Sequence, residues 1–290
     1  MASAYEHDAD MGPGPADESD EKKQKKEHTH GHSHGHGHEH SHEHIAKVVA
    51  LGTVTVGGTT FAIDREGQVE AGLETTFGVE IVGGGTAVPT SAWIANPDGE
   101  KLCDPVSGDG HDNHWHFTVC PLVPVKKSVF VLKVGNEEVV VDWARLAAPC
   151  KDGILSVLKA ADAPEWRGFL EVKLHGDAGD MEMWLHARNE GSRPTPLDVP
   201  KETVLRLTSS SHAGKTVELR VRNMDKNEDE AGAANMRNDR TNYFIFPGES
   251  GQDPEWLKGE KWRGMVTVAF EAEGKSYGCE PFILVPHEAL

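Results

Sequence analysis

SVFVLKVGNEEVVVDW, residues 128–143, decides the fold. Val129, Phe130, Val131, Leu132 and Val134 precede Gly135-Asn136, and Val139, Val140 and Val141 follow it. β-branched and aromatic residues suit a pleated strand, and a two-residue connection of this kind suits a tight hairpin turn. Neither arm carries the i, i+3, i+4 spacing of an amphipathic helix. The same signature recurs outward in both directions. Before it stand VTVGGTTFAI (54–63), turned at Gly57-Gly58, then FGVEIV (77–82), SAWIA (91–95) and HWHFTV (114–119). After it stand GFLEVKL (168–174), MEMWLHA (181–187), TVLRL (203–207), TVELRVR (216–222), YFIF (243–246), MVTVAFEA (265–272) and SYGCEPFILV (276–285). Only ILSVLKAADAPEW (154–166) reads as opening with a brief helix.

Short strands separated by Gly, Pro and Asn turns predict an all-β protein of two antiparallel, immunoglobulin-like sandwich domains. The domains are placed at residues 45–149 and 150–290, joined within ARLAAPCKDG (144–153). The halves are loosely alike, Phe77 leading to Trp93 much as Phe169 leads to Trp184. Duplication and the spacing shared by any two sandwiches account for this equally well.

Residues 1–44 contain almost no aliphatic side chain, so they cannot bury enough surface to offset the entropy of ordering. A disordered tail is predicted there when metal is absent. The formal charge of the 290-residue chain is −18, with acids spread throughout, which argues against nucleic acid and anionic membrane as partners. The basic run Lys22, Lys23, Lys25, Lys26 sits among acids and reads as solvated. No apolar run approaches the ~20 residues needed to span a bilayer. The polar opening MASAYEHDADMGPGP lacks the apolar stretch of an export signal. A cytoplasmic protein is the expectation, periplasmic or secreted if the true start or signal is missing. Four cysteines (Cys103, Cys120, Cys150, Cys279) are too few for a disulfide framework and read as free thiols.

The chemistry is concentrated in EHTHGHSHGHGHEHSHEH (27–44), where His28, His30, His32, His34, His36, His38, His40, His42 and His44 occupy every even position. Alternate residues of an extended chain project to one side, so imidazoles two apart can reach a common ion. Neutral imidazole suits zinc, nickel, copper and cobalt, with zinc or nickel favoured here. A tetrahedral ion takes about four ligands, so the tract offers roughly two ions many interchangeable registers. Glu39 and Glu43 add oxygen donors or local negative charge. A hydrophilic spacer needs no such parity, and affinity tags are usually uninterrupted and terminal.

GHDNHWHFTVCP (110–121) suggests a second site. In a strand starting at His114, Trp115, Phe117 and Val119 face a core while His114, His116, Thr118 and Cys120 face away. His111 and Asp112 lie in the preceding turn and Cys103 upstream. Two histidines on one face with a loop histidine or a cysteine would make a three- or four-ligand site for zinc or copper. An outward face that is merely polar is the competing explanation. Asp112 could act as base beside a catalytic ion, but nothing else points to a metalloenzyme and no other enzyme signature stands out.

Other signals are weaker. In residues 224–242, Asp225, Asn227 and Asp229 alternate as in a calcium loop, but Glu230 replaces the required Gly and Met236 the closing Glu. A solvated acidic loop is expected, with Asn238, Asp239, Arg240 and Asn242 as candidates to pin it. Ser209-Ser210-Ser211-His212 lacks a nucleophile elbow, and Gly83-Gly84-Gly85 lacks dinucleotide-binding spacing. Trp256 and Trp262 are read as anchors of a surface excursion.

ELRVRN (218–223), NEDE (227–230), TNYFIFPG (241–248) and FILVPH (282–287), behind a His-rich front end, resemble a group of uncharacterised bacterial β-sandwich proteins. The resemblance covers roughly residues 168–287; it implies β-rich, often exported proteins and carries no catalytic residues over. This chain departs from the group in its polar start. The tract itself resembles the cytosolic His-rich loops of zinc transporters and the tails of nickel chaperones, without their membrane helices or nucleotide-binding loop. The expected function is binding of a divalent transition metal for sequestration, buffering or delivery. The alternative is a structural or interaction module with an unknown protein partner, the tract serving as spacer or pH-responsive contact.

Overall fold

The computed structural model of the chain describes residues 48–123, 128–142, 151–187 and 195–290. The nine tract histidines lie outside the described residues, as does Cys150. Apart from three single 3-10 turns (Gly248–Ser250, Glu255–Leu257 and His287–Ala289), every regular element described is a strand. Among the described residues no helix is long and apolar enough to cross a membrane.

Gly57 and Gly58 both take positive φ, 55° and 79°, so β1 (Val48–Val56) and β2 (Thr59–Glu66) pair through a two-residue turn. β3 (Thr75–Gly84) joins β2. Opposite this sheet stand β4 (Pro89–Ala95) and, from the decisive hairpin, β7 (Val129–Val134) and β8 (Glu137–Asp142). The first sheet is extended by β6 (His114–Val119), which pairs with β3, and by β5 (Asp109–His111), which folds back on β6. Strand alternation sends Phe61, Phe77 and Phe117 from one sheet against Ile94, Phe130 and Leu132 from the other. Phe77 and Phe130 stack across the gap with ring centroids 4.1 Å apart. This is a β-sandwich-like pair of layers.

The second core belongs to β9 (Ile154–Ala160), β10 (Ala163–Leu174), β11 (Met181–Ala187), β14 (Leu205–Ser209), β15 (Lys215–Leu219), β18 (Tyr243–Phe246), β19 (Gly264–Ala272) and β20 (Lys275–Cys279). Each strand pairs with the next in the order β15-β14-β19-β20-β9-β10-β11-β18. A bridge between Arg220 and Ile245 joins the two ends of that path. Leu170, Met183, Leu207, Phe244, Val268 and Phe270 are buried inside the circuit. Smaller pieces dress it: β12 (Thr195–Pro196) beside β11, β21 (Phe282–Leu284) beside β19, and β13 (Val199–Pro200), β16 (Met236–Arg237) and β17 (Arg240–Thr241) as a separate sheet.

The helix expected at the start of residues 154–166 is absent, because ILSVLKA is β9. Ile154 and Leu158 enter the second core, while Leu155 and Val157 pack on the other side against Val49 and Phe169. A strand with neighbours on both edges and apolar contacts on both faces loses its alternation, which mimics a short helix in sequence. β9 also runs parallel to β1 through Val49–Leu155 and Ala50–Ser156, the one parallel pairing among the described strands. One sheet therefore continues from the first core into the second.

Candidate metal centre

On β10, β11 and β18 the residues facing the core are Leu170, Val172, Met183, Leu185, Phe244 and Phe246. Strand alternation puts Glu171, Glu182, Trp184, His186 and Tyr243 on the opposite face, where an exposed sheet would meet water. Yet all five are buried, Glu171 and Tyr243 completely. Buried carboxylates are costly unless hydrogen-bonded or paired, so this face needs internal partners.

Some partners come from the segment following β15. Asn223 Oδ1 accepts the backbone N–H groups of Asp225, Lys226 and Asn227 at 3.2, 3.0 and 3.0 Å. Asn227, fully buried at a positive φ of 50°, donates through Nδ2 to Thr241 Oγ1 and to the Tyr243 carbonyl, both at 2.8 Å. Its Oδ1 accepts Arg222 N–H at 2.8 Å. Asp229, also buried, accepts Ala233 N–H at 2.9 Å and lies 3.4 Å from Lys151 Nζ. Burial pushes the Asp229 carboxyl up, and these partners outweigh it, leaving it below the ordinary range. The expectation of a solvated acidic loop agrees with exposed Asp225 and Glu230 and is corrected at Asn227 and Asp229, which are polar groups turned inward. Of the expected pins, Asn242 Nδ2 donates to the Leu185 carbonyl at 3.1 Å, and Arg240 pairs with Glu273.

Against this frame the loop brings Glu230 to His175, the residue after β10. His175 Nε2 lies 3.6 Å from Glu182 Oε2 and 3.7 Å from Glu230 Oε1, and it has no hydrogen-bond partner. Both separations exceed a well-formed N–H···O bond. Two donors each ~2.05 Å from a tetrahedral ion sit about 3.3–3.4 Å apart, close to the spacing seen here. Glu182 is fixed from behind: the Tyr243 hydroxyl donates to its Oε1, and Arg222 donates to the Tyr243 oxygen at 3.2 Å. Burial pushes the Glu182 carboxyl up, but His175 and Tyr243 more than offset this and hold it below the usual range. The Glu182 carboxylate in turn holds the His175 imidazole above its ordinary value, against the opposing effect of burial. Burial, reinforced by Glu182, raises the Tyr243 phenol. Among the described residues, two sets of three donors lie within 4.8 Å of one another, and both are built on His175: one with Glu182 and Glu230, the other with His287 and Glu288. Neither set was legible in the sequence, since each joins the β10–β11 hairpin to a segment distant in the chain, residue 230 in one case and residues 287–288 in the other.

The predicted cluster at residues 111–116 forms a hairpin, with His111 opposite His114 and Asp112 in the turn at a φ of 54°. His114 and His116 share a face, as expected, with ring centroids 4.5 Å apart and nearly parallel planes, and His111 stacks 6.0 Å from His114. Phe117 and Val119 are buried and Trp115 packs partly against the same core. Carboxylates that the sequence reading missed share the histidine face: Glu80 lies across from His114, and Asp64 lies one strand further along the row of His116. Arg263, just ahead of β19, ion-pairs with Glu80, whose Oε2 is 3.9 Å from His114 Nδ1. Burial, reinforced by His116 and His111, lowers the His114 imidazole to about 4. Burial, reinforced by Glu66, raises the Asp64 carboxyl to about 6. Face-to-face rings point their nitrogens alongside rather than toward one another, and these three histidines are not among the mutually close donor sets.

The remaining candidates belong to neither donor set. Cys103, Cys120 and Cys279 are free thiols, and burial pushes Cys279 up to about 12. Ser209 and Ser211 hydroxyls lie 2.9 and 3.2 Å from His212 Nδ1, and Ser211 Oγ accepts Met265 N–H. His212 stacks on Trp262, whose Nε1 donates to the Trp256 carbonyl at 2.9 Å, so both tryptophans anchor this surface. The sequence matches no protein-family model and no curated protein.

Proposed function

We propose that this protein binds divalent transition-metal ions, zinc or nickel foremost. Labile ions are captured by the imidazoles of His28–His44, and one is held at a folded centre of His175, Glu182 and Glu230. A protein of this kind sequesters, buffers or delivers metal. The observation carrying the reading is the buried His175 Nε2, which faces carboxylate oxygens of Glu182 and Glu230 at 3.6 and 3.7 Å, beyond hydrogen-bond length and near ligand spacing. One imidazole and two carboxylates suit a borderline cation, and Tyr243 supplies the hydrogen bond that orients a ligating carboxylate. The tract adds nine imidazole donors spaced by Gly, Ser, Thr and Glu.

Zinc titration of full-length protein, with a full-length variant carrying Asn at all nine tract positions, tests this. The variant should retain one ion, and adding His175→Ala should remove it. A nine-Asn variant that takes up no zinc would overturn the folded centre. Zinc on the tract should leave as pH falls below ~6, because protons compete for imidazole nitrogens of ordinary pKa ~6.5.

A further inference from the structure

The second donor set points to the chain end. We propose that His287 and Glu288 complete the centre, so that a bound ion clasps both the C-terminal turn and the Glu230 loop onto the β10–β11 hairpin. This rests on the reading of His175, Glu182 and Glu230 as a metal centre.

His175 stands at the start of the turn between β10 and β11, where its N–H donates to the Asp180 carbonyl at 2.9 Å and its carbonyl accepts Gly179 N–H at 2.8 Å. The ring is thus carried on a rigid corner. His287 approaches from the other side, with ring centroids 4.7 Å apart at 69°. Its Nδ1 is 3.2 Å from the Leu174 carbonyl and 3.3 Å from Glu288 Oε2, and both are acceptors. The proton of neutral His287 therefore belongs on Nδ1, and Nε2 carries the free lone pair. A ligating histidine is held in this way, with its other nitrogen donating to a carbonyl or carboxylate. Glu288 is steadied by Gly176 N–H, 3.4 Å from its Oε2, which leaves its second oxygen uncommitted in that contact.

The close approach is built into the backbone. A Cβ on Gly176 would lie 3.0 Å from Pro286 Cβ, so glycine lets the C-terminal turn sit against the corner. The turn itself has little else: Glu288 and Ala289 are exposed and Leu290 packs only partly on the core. His175 is the member common to two separate donor sets, one with Glu182 and Glu230 and the other with His287 and Glu288, which offer imidazole nitrogen and carboxylate oxygen without thiolate. Such a set takes zinc and also harder ions such as manganese, which an all-imidazole tract favours less. An ion bound by it would tie together segments far apart in the chain.

Hydrogen exchange read by mass spectrometry on the full-length protein, with zinc in excess of the tract's capacity and in a parallel arm with manganese, tests the clasp. Zinc should slow exchange at least tenfold in peptides covering residues 224–236 and 282–290 together. His175→Ala should abolish both effects. His287→Gln with Glu288→Gln, both near the surface, should abolish only the second and weaken zinc binding by the nine-Asn variant at least tenfold. Zinc protection of 224–236 without protection of 282–290 would overturn the clasp and leave the three-residue centre standing. Protection of neither segment, with zinc bound only in the tract's amount, would remove both.

Discussion

At the scale of single residues, the buried polar face depends on groups that have partners only inside the protein. Tyr243 donates to Glu182 and accepts from Arg222, so Tyr243→Phe leaves the buried Glu182 carboxylate short of a partner. We expect a loss of about 1–3 kcal/mol in denaturant unfolding, and zinc affinity at the centre should fall roughly 10- to 100-fold. Unchanged affinity would remove Tyr243 from the support of Glu182. Asp64 gives a different signature. Its folded carboxyl is raised from 3.8 to about 6, so the folded state holds that proton more tightly than the unfolded state. The associated stability is fully present below the unfolded value and is lost as pH rises through about 6, a span of about 3 kcal/mol. Asp64→Asn should therefore gain on the parent protein between pH 4 and 8 as pH increases. A difference that stays flat, measured by urea titration at several pH values, would contradict this.

Elements come next, and the segment after β15 is the one that converts an exposed sheet face into an interior. Asn227 holds it by one accepted and two donated hydrogen bonds, all buried or partly buried. Asn227→Ala should cost about 2–3 kcal/mol, since several buried groups lose partners. Amide exchange should rise across residues 223–235 while the β3–β6 ladder stays protected. The same element shows where sequence reading stops. Strand alternation located HWHFTV, MEMWLHA and YFIF, because period-two patterning and turn residues are local properties. Asp225, Asn227 and Asp229 were legible only as a failed calcium loop, because polar residues carry no mark of whether their partners are water or protein. His175 and His287 carry no signal in sequence for the opposite reason: each is a lone histidine there, and their proximity arises where the β10–β11 corner meets residues 286–288. β9 reads as a short helix in sequence because both of its faces are covered.

For the whole molecule, two cores share one sheet. Leu155, fully buried, sits with Val49 and Phe169 where β1 meets β9. Leu155→Ala should cost about 2–5 kcal/mol. It should also resolve thermal unfolding into two steps, because it weakens the contact through which each core senses the other. One sharpened transition at lower temperature would show that the cores are coupled elsewhere, for instance through Arg263 and Glu80. The proposed function requires a cation beside His175. Crystals grown with zinc, with anomalous differences recorded at the zinc edge, test that most directly. A peak is expected within coordinating distance of His175 Nε2 and carboxylate oxygens of Glu182 and Glu230. Zinc peaks elsewhere in the crystal, with none at His175, would contradict the proposed function.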